Sequence, residues 1–242
     1  MDGLNYIQSY AFFDKKQNSH ADFIPCWLKR LYLYFVVRKS HYNALSLWTN
    51  HNIIQITSFM DSNKQTSKDF ELEFQTDLHD YLEGMGKIDS RPAESPDLDG
   101  LWPKVGEAYL PDALREFSDY PTVTLGWMMY IGMALAKYWD EDWNVYGQIP
   151  DLYGYMLEHT DYDHLDEYIC SQVLMLSAEE HDKIEKIVAE CASRTYNRFC
   201  HLGLEPGTES AFRAFVGALH QMYKMGIAMQ FKAMGYHMER LQ

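Results

Sequence analysis

Basic clusters, long apolar runs and cysteine pairs are all missing from this chain, and each absence removes a class of function. With 21 Lys and Arg against 35 Asp and Glu, the formal charge is −14. Phosphate neutralisation requires clustered cations, so nucleic acid is excluded as a partner, and anionic membrane surfaces are disfavoured for the same reason. The longest strongly apolar run of the acidic part is Leu125 to Ala136, 12 residues. A span needs about 20, so this run reads as a buried helix and no membrane partner is expected. Cys26, Cys170, Cys191 and Cys200 form no C-x-x-C pair and no short disulfide framework. They are expected to be buried thiols in a reducing compartment, which places the chain in the cytoplasm.

Chemical motifs are missing too. There is no G-x-G-x-x-G, no G-x-x-x-x-G-K, no G-x-S-x-G and no H-E-x-x-H. None of the ten histidines has Glu three residues before it, so the Glu-x-x-His pair of di-iron bundles is absent and no cofactor is expected.

Glutamate is missing from the first 59 residues, whereas the remainder holds 16. That leader carries Lys15, Lys16, Lys29, Arg30, Arg38 and Lys39 against Asp2, Asp14 and Asp22, and is therefore positive in an otherwise acidic chain. Its best apolar run, Leu31 to Val37, is seven residues long, too short to span a bilayer, and the leader has no sustained helical or strand period; a short signal-anchor or a β-hairpin is the alternative reading of this run. The expected division is thus a poorly ordered leader at 1–59, dispensable for folding and with translation starting at Met60, and a domain at 60–242.

In that domain the apolar residues return with helical period. Phe70, Phe74, Leu78, Tyr81, Leu82 and Met85 make one stripe, ended by Gly84 and Gly86. Residues 87–100 read as loop, followed by two short helices broken at Pro111. Pro121 opens an apolar helix reaching about Trp143. Helices at Asp151–Glu158 and Asp161–Met175 follow. Ser177 and Glu180 form a capping box for a helix to His201, and a last helix covers about Thr208 to Glu239. No strand signal of comparable strength occurs. The fold class is all-α, a single compact bundle of five to seven helices.

One echo links two of these helices. Met129–Tyr130 precedes Gly132, Ala134 and Ala136, and Met222–Tyr223 precedes Gly226 and Ala228. Small residues at these spacings permit close backbone approach, although two ordinary core helices are the plainer explanation.

Two constellations could carry chemistry. Between Tyr138 and Tyr155, Trp139, Trp143 and Tyr146 are interleaved with Asp140, Glu141 and Asp142. Aromatic faces rimmed by carboxylates suit a basic partner through cation–π contact and charge pairing. They serve equally to pack a helix end. Further on, His159, Asp161 and His164 offer imidazole and carboxylate ligands. A separation of five positions between the histidines, however, is wrong for one helix face, so no metal is expected there. Carboxylates three apart, such as Asp77/Asp80 and Asp163/Asp166, reflect solvation in so acidic a chain. The expected function is a helical interaction or regulatory protein whose acidic, aromatic-bearing surface takes a basic protein partner. The alternative is a metal-assisted hydrolase or small-molecule binder, with His220 or His237 joining the Glu158–Glu167 region.

Overall fold

The structure, a computed structural model, describes residues 64–205 and 207–238, with side chains from residue 70 onward. The expected leader, 1–59, lies outside the described residues. Among those described there are seven α-helices and no strand, in agreement with the all-α expectation. They are α1 (Lys64–Gly84), α2 (Pro96–Glu116), α3 (Pro121–Tyr146), α4 (Leu152–Leu157), α5 (Leu165–Tyr168), α6 (Ala178–His201) and α7 (Glu209–Ala233). None is long and apolar enough to cross a membrane.

Helix α3 runs through the centre. Its residues from Pro121 to Ala136 are buried all round, the pattern of a helix enclosed by others. It packs against α7 and α6, and α7 packs in turn against α1. The α3–α7 crossing is set by the two glycines of the sequence echo. A Cβ on Gly132 would lie 2.3 Å from the Tyr223 carbonyl oxygen, and one on Gly226 would lie 2.1 Å from that of Met129. Each glycine meets the residue three before and the residue one after the other, at Tyr223 and Ile227 and at Met129 and Met133, so the two backbones touch across a local two-fold.

The predicted stripes point inward. Phe74, Leu78 and Leu82 of α1 are buried, as are Phe215, Leu219, Met222, Tyr223 and Phe231 of α7. Met85, by contrast, is exposed, because the chain leaves the helix there. Met222, Met225 and Met229 are buried and fill core space. Two buried phenols are satisfied by backbone: Tyr109 donates to the Thr124 carbonyl at 2.7 Å, and Tyr223 to that of Leu98 at 2.8 Å.

Four boundaries differ from expectation, each for a local reason. Helix α2 begins at Pro96, inside the expected loop, since proline suits the first helical turn and Asp97 and Asp99 face the positive end of the dipole. It also runs unbroken past Pro103 and Pro111. Burial of Leu98, Trp102, Val105, Tyr109, Leu110 and Ala113, on both sides of the prolines, offsets the missing hydrogen bonds. The expected helix Asp161–Met175 is a 3₁₀ turn at Tyr162–His164, then α5, then a π-helical turn at Ile169–Val173. It stops at Met175, whose φ of 53° no regular helix allows. Finally, α7 ends at Ala233. Gly235 adopts φ 87°, and the Tyr236 N–H returns to the Phe231 carbonyl at 2.9 Å, a Schellman closure. Of the cysteines, Cys170 and Cys191 are buried as expected, whereas Cys200 is exposed on the outer side of α6.

The Ser177 capping box is present. The Ser177 N–H donates to Glu180 Oε2 at 2.9 Å, and Ser177 Oγ accepts from the Glu180 N–H at 3.4 Å. Ser177→Ala is expected to lower stability by about 1 kcal/mol and Ser177→Asp to restore most of it, as a denaturant midpoint would register.

Candidate functional site

The last two turns of α3 leave the core, and here the sequence changes from apolar to aromatic and acidic. Trp139, half-buried, sits edge-on to Phe231 of α7 at 5.4 Å and to Tyr236 at 5.8 Å. Its indole N–H donates to Asp97 Oδ2 at the start of α2, 3.1 Å away. The Tyr236 hydroxyl donates to Asp140 Oδ1 at 2.8 Å, and this contact raises the phenol's pKa. Trp139 and Asp140 therefore tie α3 to the end of α7 and the start of α2.

At Asp142 the helix breaks, with φ −163° and ψ 85°. The freed carboxylate accepts from the Asn144 N–H at 3.1 Å and so caps the last turn. Beyond the break, Tyr146 stacks on Tyr138 at 4.3 Å and meets Tyr155 of α4 edge-on. Burial, followed by the charges around it, raises the Tyr146 pKa. The half-buried Trp143 lies under the turn at Gly147, where a Cβ would fall 2.9 Å from the indole. Glu141 pairs with Lys137 at 3.3 Å. The six candidate residues thus share one helix end but divide between two neighbourhoods. Trp139 and Asp140 face α2 and α7, while Tyr146 faces α4. Asp140, Glu141 and Asp142 remain exposed, together with Val145 and Tyr236.

The histidines do not converge. His159 stacks on Tyr168 at 5.7 Å, with Nδ1 at 2.9 Å from the Tyr155 carbonyl. His164 Nδ1 lies 2.5 Å from Asp161 Oδ1, a pair that raises the imidazole pKa and lowers that of the carboxylate. His220 stacks on Trp102 at 4.6 Å and faces Glu71 at 3.3 Å, and His237 faces Asp89 at 2.6 Å. Among the described residues no three His, Cys, Asp or Glu side chains are placed to hold a metal ion.

A wider feature of the sequence accompanies the aromatic cluster. From Tyr138 to Asp182 there is no Lys or Arg, while the same 45 residues carry 12 Asp and Glu. This segment includes the end of α3 and continues through α4, α5 and the π turn, all of which pack against α3. The acidic triplet is its beginning. A charge count in a sliding window would have found it.

No protein-family model, curated protein or solved structure matches the chain.

Proposed function

We propose that the protein is a helical interaction or regulatory protein that docks a basic segment of a partner protein on the surface formed by Trp139, Asp140, Glu141, Asp142, Trp143 and Tyr146. The observation that carries the proposal is the cation-free stretch from 138 to 182 with its 12 carboxylates. Glu141 and Glu179 are paired with the flanking Lys137 and Lys183; no Lys or Arg within the stretch offsets the remaining charges, whose summed field steers a basic partner and disfavours acidic ones. The half-buried indoles and the exposed Val145 and Tyr236 add apolar and cation–π contact at its edge. The hydrolase alternative needs imidazoles that meet, and each of the four histidines it invokes has a separate partner.

Titration of the full chain with an Arg–Ala repeat peptide, followed by tryptophan fluorescence, tests this. Saturable binding is expected, weakened about tenfold or more by the triple change Asp140→Asn, Glu141→Gln, Asp142→Asn. The amides retain acceptors for Tyr236 and Asn144, so the fold should be unaffected. Neutralising Glu73, Asp80 and Glu83 on α1 instead should change affinity less than about twofold. Equal effects of the two triple changes would mean diffuse charge attraction and refute a defined surface.

A further inference from the structure

A second feature lies apart from the acidic segment. Helix α1, the turn entering α2 and helix α7 enclose a cleft of about 50 Å³, room for roughly four waters. One wall is apolar, made by Pro92 and Ala93 of the turn and Met225 and Ile227 of α7. The turn itself is fixed. Lys232 donates to the Ile88 carbonyl at 2.9 Å and pairs with Asp89 at 2.8 Å.

The polar lining has an uncommon property: both charge signs are present and do not neutralise each other. Lys224 lines the cleft, and among the described residues no carboxylate comes within 4.0 Å of its amine. Glu94 and Asp99 line the same cleft, and neither takes part in an ion pair there. His79 is a wall, not a free group, since Nε2 lies 3.2 Å from the Ser90 carbonyl and Nδ1 faces Glu83 at 3.6 Å. Ser95 also contributes. It occupies the N-cap of α2 without capping it, and its hydroxyl is buried and has no hydrogen-bond partner among the described residues.

We propose that this cleft binds a small zwitterion, an α-amino acid in the size range of glycine to serine. Its carboxylate lies against Lys224 and its ammonium against Glu94 and Asp99, while the apolar wall receives the side chain. Separated, unneutralised charges of opposite sign select for a ligand that carries both. A simple carboxylate would gain Lys224 but face two acids, and a simple amine would face Lys224. A cleft of this size favours a small side chain over an aromatic one.

Isothermal titration of the full chain with glycine, L-alanine and L-serine is the test, with acetate, ethylamine and L-phenylalanine as controls. At least one of the three small amino acids is expected to bind saturably, and the controls are not. Lys224→Met should weaken that binding about tenfold or more with the melting transition unchanged. Amide chemical shifts of the unmutated protein provide a reading independent of any variant, with the largest ligand-induced changes expected at Ser95, Asp99 and Ala228. No saturable binding by any of the three up to about 10 mM would overturn the proposal. So would acetate binding as tightly as alanine, shift changes remote from the cleft, or a Lys224→Met protein that binds unchanged.

Discussion

Gly226→Ala is expected to lower the melting temperature by about 6–12 °C, corresponding to a loss of roughly 3 kcal/mol or more. The new methyl carbon would stand 2.1 Å from the Met129 carbonyl oxygen, and the atom it meets is backbone in the middle of the central helix. No rotamer change relieves such a contact. The two helices must move apart by roughly 1 Å, and the close-packed layers of α6 and α1 behind them would lose contact. Helix propensity acts in the opposite direction, since Ala is favoured over Gly by about 1 kcal/mol in a helix interior. The sign of the result therefore separates the two effects. Gly100→Ala is the control: a Cβ there meets nothing within 4 Å, and a gain of about 0.5–1 kcal/mol is expected. Gly132→Ala should resemble Gly226→Ala, because its Cβ would meet the Tyr223 carbonyl at 2.3 Å. The double variant should cost clearly less than the sum, since one separation of the helices accommodates both methyls. Additive losses would mean that the glycines act independently and that the shared crossing does not set the helix spacing.

These glycines also mark how far the sequence could be read. The echo that contains them is visible in the residues, but Gly and Ala are common, and nothing local says which two helices will cross. Elements with strong local signals were legible in advance. The α1 stripe and the Ser177–Glu180 box act through residues three or four apart, and Pro121 by itself suits a first helical turn. Expectation failed where tertiary packing overrides local preference. Pro103 and Pro111 are helix breakers in isolation, yet α2 passes through both because its buried face continues on either side. From Asp161 to Met175 the pattern suits one helix, but the chain forms a 3₁₀ turn, α5 and a π turn in succession. The candidate site residues divide in the same way. The triplet Asp140–Glu141–Asp142 is contiguous and could be read directly. The cleft takes its residues from positions 75–99 and 224–228, and no pattern in one chain predicts that meeting.

Asp166→Asn is expected to stabilise the protein above neutral pH by up to about 3 kcal/mol and to leave it nearly unchanged near pH 4. The Asp166 carboxyl is pushed up to about 6 from an ordinary 3.8, first by burial and then by the neighbouring charge of Glu167. The backbone N–H groups of Glu167 and Asp166 and the charge of His181 oppose the shift without cancelling it. Glu185 adds further negative charge beside Cys170 and Tyr130, and no Lys or Arg occurs between 138 and 182 to compensate. A folded-state pKa above the unfolded value means that folding favours the protonated form. The stability this gives is complete below the unfolded pKa and disappears as pH rises through about 6. Asparagine retains the uncharged form at every pH, so the difference between variant and wild type should open between about pH 4 and pH 7. Taking the difference matters. His164, held above its usual pKa by Asp161, also makes the protein less stable as pH rises, but it does so equally in both chains. Urea midpoints at matched slopes across this range decide the matter, and parallel pH profiles would show that Asp166 is solvated in the folded state. The same linkage extends to binding. A basic segment docked on the acidic surface would favour the ionised carboxylate, so near pH 6 its association with the wild type should release protons that the Asp166→Asn protein does not.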